Sequence, residues 1–288
     1  MVESLATQIL QGVLLGGLYC MFALGLSLSV GVLRFVNAAH GDLIVLVSFL
    51  LLAVGTALGV SPLVALVVVL PVAFAGFYAL QRFLLQRVVG QNGLLALLVT
   101  FGLATIIENG LLQGFGADTR KLPGGALETA TIRLASSLYV GVLPLLTFLA
   151  AVALVLLLDL LLYRSRLGVR IRAVSDDVSA ASLIGLAAPR VNALAMAVVG
   201  LTVALAAFFM GIRMNFDPTG GPSRLLIAFE AVVLGGLGSL WGTLAGGVVL
   251  GVAQTVGGQF DAAWQSIAGH VAFLVIFLLR PQGLFPKH

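Results

Sequence analysis

Charge and reactive side chains are what this chain has least of, and each scarcity closes off a class of chemistry. Its one cysteine, Cys20, lies inside the first apolar run, so neither a disulfide framework nor a Cys-x-x-Cys metal pair is available. The three histidines, His40, His270 and His288, are far apart in sequence. They do not supply the converging acid, base or metal ligands that a membrane-embedded enzyme acting on lipid needs. The two lysines, Lys121 and Lys287, stand in no GxxxxGK[ST] context, and the chain carries no such phosphate loop. Energy for any transport must come from another chain or from an ion gradient. Only 9% of residues are charged, against about 25% in ordinary soluble domains, and this excludes the soluble globular class.

What fills the chain is apolar: 60% hydrophobic residues and a mean hydropathy of +1.16. Leu43 to Gln81 contain no charged residue, which is more than one span of about 20 residues. The 35 glycines are spread through apolar segments, favouring closely approaching helices over barrel strands, whose signal is alternating polarity. The fold expected is an all-α polytopic membrane protein with about eight transmembrane or re-entrant helical segments. Spans are predicted at 9–31, 42–60, 62–81, 93–113, 141–163, 190–212 and 262–280, with an apolar region at 225–257 that is harder to divide. The opening MVESLATQIL has an acidic residue and no basic stretch, so the first helix is expected to insert as its own anchor.

The basic residues orient these spans. Net charge is +4, but the arginines gather at the ends of apolar runs and interleave with no aromatics. Nucleic acid is therefore not the partner, and the positive-inside rule accounts for them. Arg34, the pair Arg82 and Arg87, and the segment 163–190 follow the first, third and fifth spans, which puts all of them in the cytoplasm. The N-terminus and the loop 114–140, with Asp118, Arg120, Lys121, Glu128 and Arg133, then face outward. A cytoplasmic tail bearing Arg280 and Lys287 requires an even number of crossings after residue 190. Region 225–257 must therefore cross twice or turn back. Gly235, Gly236 and Gly238 break its run, and Gly238, Gly242 and Gly246 then recur at every fourth position. That pattern reads as two short helices or a re-entrant hairpin, tolerated at depth only when buried in protein or lining a cavity.

The segment 163–190, YRSRLGVRIRAVSDDVSAASLIGLAAPR, holds five of the thirteen arginines. Burying them at a bilayer centre would cost roughly 2.5 to 3.5 kcal/mol each, so the segment lies outside the membrane. Leu167, Ile171 and Val174, then Val178, Ala181 and Ile184, recur at helical spacing and predict two short amphipathic helices. Ser175 is placed to cap the second, with Asp176 and Asp177 in its first turn and Gly185 as the left-handed residue past its end. A helix this short is marginal alone and needs a surface to pack against.

Three separated motifs, RSRLGVRIRAVSDDVSAASLIGL, GLSLSVGVLRFVNAAHGDL and AVVLGGLGSLWGTLAGG, with the closing RPQGLF, resemble the LivH-type permease of branched-chain amino acid ABC importers. The resemblance covers nearly the whole chain. It implies one transmembrane permease domain over 1–288, multi-pass in a bacterial inner membrane. It further implies a LivM-type sister permease, two cytoplasmic ATPase subunits and an external substrate-binding protein as partners. ATP is then used by the ATPases, and this chain itself binds no cofactor and no metal. Permeases of this kind serve leucine, isoleucine and valine, and relatives serve other amino acids, amides or urea. The resemblance makes 163–190 the ATPase-coupling loop, carried by Arg166, Gly168, Arg170, Arg172, Ser175, Asp176, Asp177, Val178, Ala181 and Gly185. Its helix would dock in a groove on the ATPase with Val178 and Ala181 as apolar anchors and arginines at the flanks. The same residues also suit a solvated basic loop that only fixes topology.

Polar residues inside spans are the remaining candidates. Glu108 lies near the outer end of the fourth span, with Thr105 one turn before it and Asn109 beside it. An acid there needs a cavity or a partner, and pairing with Arg120 or Arg133 at the interface is the plainer reading. Glu230 precedes the glycine break, where membrane carriers place function. An ion-coupled secondary transporter of a small polar solute would use these two acids, and this is the competing class. Asn37, His40, Gly41 and Asp42 join the first two spans on the cytoplasmic side, where Asp42 suits a helix N-terminus and Asn37 and His40 satisfy loose backbone groups. This structural role is preferred over substrate contact, and His40 with Asp42 has no further ligands for a metal.

Overall fold

A computed structural model describes residues 2–91, 93–133 and 139–285. Lys287 and His288 lie outside them. In chain order the elements are α1 (Val2–Leu28, continued by a π turn Ser29–Leu33), α2 (His40–Leu58), α3 (Pro62–Ala79, continued by tighter and wider turns to Arg87), and α4 (Gly93–Phe115). A short outer segment follows, with α5 (Ala126–Thr129) and the antiparallel strands β1 (Thr131–Arg133) and β2 (Tyr139–Gly141), Ile132 opposite Val140. Then come α6 (Val142–Arg164), α7 (Arg166–Asp176), α8 (Val178–Leu183), α9 (Ala188–Arg213), α10 (Gly221–Gly235), α11 (Leu240–Gly257) and α12 (Ala262–Leu279). Among the described residues, 8 helices are long and apolar enough to cross a membrane, and α10 is not one of them.

The first span sits at the centre because its glycines let other elements close on it from several sides, Gly12 and Gly16 against α11, Gly17 against Phe148 of α6 and Gly25 against Thr202 of α9. Leu18, Cys20, Met21, Phe22, Ala23 and Leu24 are fully enclosed. A Cβ on Gly16 would stand 2.7 Å from the Val248 amide nitrogen, and one on Gly247 would stand 2.7 Å from the Gly16 carbonyl oxygen. The α1 and α11 backbones thus touch directly, which is how small residues join helices where lipid and leucine are equally apolar. The second glycine series of α11 faces α10 instead. Gly242 lies against Gly235 and Gly246 against Ala231.

The parity expected from the charges holds. After α8 the chain rises through α9, returns through residues 214–235, rises through α11 and descends through α12. Gly31 at the end of α1 meets Gly238, so the break between α10 and α11 lies on the face that carries Arg34. The tail joins it there: Leu284 N–H donates to the Leu234 carbonyl at 2.8 Å and Phe285 N–H to that of Gly235 at 3.0 Å. The break uses the predicted glycines, with Gly236 at φ 102° and Gly238 at φ 78°, conformations that L side chains avoid.

The return through 214–235 is only half helical. Residues 214–220 descend without regular structure, Phe216 bridging to Arg120 and standing edge-on to Phe49 at 5.1 Å. α10 begins where Gly221 presses on Gly41 and Asp42. Irregular backbone at this depth is enclosed between α2 and α4, as the absence of water in a bilayer demands.

The segment 34–39 does the same from the other side, and here the expectation is corrected. Asn37, His40, Gly41 and Asp42 do not lie at the cytoplasmic surface. His40 is fully buried, its Nε2 2.8 Å from the Phe22 carbonyl oxygen. Phe22 precedes the end of the π turn by three helical turns, so the chain climbs roughly 16 Å back into the bundle before α2 starts. The donors freed on the way are met locally: Ala38 N–H by the Thr100 hydroxyl at 3.0 Å, and Ala39 N–H by the Asn37 carbonyl oxygen Oδ1 at 3.0 Å. Arg34, with φ 56°, makes the reversal.

Candidate functional site

The segment 163–190 forms two short helices whose apolar faces point to different places. α7 begins at Ser165, whose hydroxyl accepts from Gly168 N–H at 2.9 Å. It lays Ile171 and Val174 into the bundle against α6 and α9, both side chains fully buried. Burial of each contributes about 1.5 to 3 kcal/mol. Gly168 packs against the Leu161 and Leu162 carbonyls, where no larger residue fits. Arg172 turns over the Tyr163 ring, 5.0 Å from its centroid, and Arg166 and Arg170 lie on the exposed side.

α8 is capped differently from expectation. Asp177, not Ser175, is the cap: its carboxylate accepts from Ser179 N–H at 2.8 Å and Ala180 N–H at 3.0 Å. Asp176 closes α7 rather than opening α8, and Ser175 lies within α7, its hydroxyl 3.5 Å from the Gly31 carbonyl oxygen. A carboxylate outcompetes a hydroxyl here because its charge also complements the helix dipole. Gly185 is left-handed at φ 83°, as predicted.

Of the two expected anchors, Val178 is 54% exposed but Ala181 only 3%, because it packs on its own chain. The outward apolar surface is completed by Leu183 at 88% and Ile184 at 74%. Sequence reading missed Leu183, which sits between two periodic positions and outside the stripe that fixed the helix. A cavity of about 260 Å³ opens beside α8, lined by Arg34, Phe35, Val88, Val174, Asp176 and Val178.

The intramembrane polar residues fall into separate places. Glu108 is half-buried on α4, within electrostatic reach of Asp42. It makes no ion pair with Arg120, which lies 3.5 Å from Asp118 instead. Thr105 and Asn109 are exposed and tie back to their own helix, Asn109 Nδ2 donating to the Thr105 carbonyl at 2.8 Å. Glu230 is buried on α10 and bonds His270 of α12, Oε1 to Nδ1 at 2.6 Å. α4 packs on α2, α2 on α10 and α10 on α12, so Glu108 and Glu230 sit on helices separated by α2. Neither His270 nor the hydrogen bond from Tyr19 to Gln254 was expected from sequence. An imidazole amid aliphatic residues was the available signal. Its partner, forty residues away, was not visible.

Around Asp42, one carboxylate oxygen, Asn37 Nδ2 and His40 Nδ1 are buried with no hydrogen-bond partner among the described residues. No group of three potential metal ligands occurs among the described residues. A groove of about 790 Å³ between α11 and α12, lined by Val248, Val252, Val256, Trp264, Ile267 and Val271 among others, is wholly aliphatic and aromatic and offers nothing to a charged solute. In the outer segment, Lys121 Nζ lies 2.5 Å from Glu128 Oε2. That hydrogen bond, with Gly124 N–H, holds the exposed carboxyl below its usual range.

Comparison with known proteins decides what this bundle belongs to. The family model described as the permease component of the branched-chain amino acid transport system matches residues 8–279. The chain belongs to that permease family. Its relatives include the high-affinity branched-chain amino acid transport system permease protein BraD of Pseudomonas aeruginosa, 26% identical, covering 97% of this chain and 95% of BraD. LivH of Salmonella typhimurium is 27% identical, again over 97% and 95% of the two chains. A probable LivH of the archaeon Methanocaldococcus jannaschii is 24% identical over 96% of this permease and 91% of its own length. Among solved structures, PsaBC from Streptococcus pneumoniae in complex with Fab superposes with a TM-score of 0.52 at 11% identity, covering 98% of the permease and 97% of that chain. At that identity the likeness speaks for the fold alone. A multi-pass bacterial inner-membrane permease is thus a transport component and not an enzyme by itself.

Proposed function

We propose that this chain is the membrane-spanning subunit of an ATP-binding-cassette importer, moving branched-chain or closely related amino acids into the cell. The observation that carries the reading is α8: a capped helix with Val178, Leu183 and Ile184 exposed on the arginine-rich face, uncovered by apolar surface among the described residues. Six residues of helix are marginal in water, and an apolar outward face needs a partner. Its rigid attachment through α7, with Ile171 and Val174 seated against α6 and α9, suits a lever that passes motion into the spans. The partner consistent with the family is a cytoplasmic ATPase whose groove receives α8, helix-in-groove fashion. ATP is then bound and hydrolysed by two such subunits, and this chain holds no cofactor. A sister permease of the LivM type completes the passage, and an external binding protein delivers the solute. Arg166, Arg170 and Arg172 flank the docking helix, and Asp177 and Gly185 set its two ends.

Two measurements test this. Val178→Asp with Leu183→Asp should leave accumulation in the membrane unchanged while ATPase co-purification and leucine uptake fall at least tenfold; parental association and uptake would refute the docking role. In proteoliposomes, uptake should require ATPase subunits and ATP. Uptake driven by an ion gradient alone would overturn the importer reading in favour of ion coupling.

A further inference from the structure

A further cavity, of about 400 Å³, lies on the face that carries Arg34, and its size falls in the range of about 300 to 1,000 Å³ usual for small-molecule sites. Its walls come from the end of α1, the last turn of α6, the C-terminal half of α7 and the glycine break before α11. The lining is amphipathic: Leu28, Leu162 and Leu240 supply one part, and Arg34, Arg172 and Asp176 the other. Arg34 and Asp176 are exposed, so the cavity is reached from the cytoplasm.

The three charged groups form no ion pair among the described residues. Arg172 and Asp176 stand one turn apart on α7, a spacing at which opposite charges reach each other, and still they do not pair. Arg172 stacks on Tyr163, and its Nε is buried with no hydrogen-bond partner among the described residues. Stacking fixes the guanidinium plane and leaves its in-plane N–H groups for an acceptor. Asp176 ends α7, where the helix dipole opposes a negative charge. Arg34 holds the one non-glycine left-handed position among the described residues, a conformation that costs an ordinary side chain energy.

We propose that this cavity binds a zwitterionic amino acid from the cytoplasm and that the bound molecule slows import. This rests on the importer reading above. Arg172 and Arg34 hold the carboxylate, Asp176 the ammonium, and the three leucines an aliphatic side chain. A pure anion would meet Asp176, and a pure cation would meet the two arginines. A molecule that carries both charges on one carbon satisfies an acid and a base set one helical turn apart. The occupant ties α7 to the end of α1 and to the glycine break, and α7 is the anchored half of the coupling segment. A ligand that binds one arrangement of α7 better than another shifts the protein toward it. Product gathering inside thereby restrains further uptake.

The experiment uses the whole importer in vesicles of neutral phospholipid, with ATP sealed inside and binding protein and labelled leucine outside. Each variant is compared with its own rate in leucine-free vesicles, so a weakened ATPase contact cancels. Preloading with unlabelled leucine should slow the parent about fivefold, the low end of couplings between sites, and should slow Arg34→Gln and Asp176→Asn by less than about twofold. Sealed inside instead, 4-methylpentanoate lacks the ammonium and leucinol lacks the carboxylate, and neither should slow the parent. A parent indifferent to internal leucine overturns the proposal, and so does parental slowing in both variants, which places the product elsewhere on the transporter. Equal slowing by 4-methylpentanoate, or slowing that follows added anionic phospholipid and not leucine, overturns it in favour of a simple anion site. If Asp176→Asn fails to assemble, Arg34→Gln decides alone. A parent that moves no amino acid at all sinks the importer reading, a result distinct from transport without feedback.

Discussion

α7 and α8 are neighbours in one loop, both short and both amphipathic, yet their apolar faces end in opposite places. Ile171 and Val174 are fully buried in the bundle, whereas Leu183 and Ile184 stand in the open. Helical periodicity tells that a face exists and not what covers it. The difference comes from the helix ends: Gly168 lets α7 lie directly on the α6 carbonyls, and the extended turn at Asp177 then swings α8 away. The docking role proposed for α8 needs both halves, one anchored and one left uncovered.

Graded substitutions separate the two. Ile171→Asp places an unpaired charge in a fully buried site and should cost about 3 to 5 kcal/mol, seen as loss of monodisperse protein after detergent extraction. Leu183→Ala should leave the fold intact and weaken ATPase binding about tenfold, the usual size for a docking anchor, measured by titration of the purified ATPase. Asp177→Ala removes the cap of a helix too short to do without one. About 1 kcal/mol lost there corresponds to roughly fivefold weaker ATPase binding in the same titration. Ser175→Ala should change stability by less than about 0.5 kcal/mol in thermal melts, since the hydroxyl makes only a long contact to Gly31. Were Ser175→Ala to weaken binding as much as Asp177→Ala, the cap assignment would be wrong.

The spans, the orienting arginines and the broken region near Gly236 were all legible in the sequence, because transfer of charge into lipid is costly enough to dominate every other preference. The descent of Asn37, His40 and Asp42 into the bundle was not. These residues are common at surface turns, and nothing local distinguishes a turn in water from one enclosed by Thr100, Phe22 and Gly221. The same blindness hid His270, whose meaning depends on Glu230 arriving from another helix. Glu108 shows the converse: its sequence neighbours suggested an ion pair with an outer arginine, and Arg120 lies 3.5 Å from Asp118 instead.

By itself the sequence determined class and parity, since those follow from hydropathy and charge summed along the chain. Which glycine meets which backbone, which of two amphipathic helices is left uncovered, and which acid finds a histidine were decided only in three dimensions. Those outcomes depend on contacts between segments far apart in the chain, such as Gly16 with Gly247 and Glu230 with His270, and no local pattern encodes them.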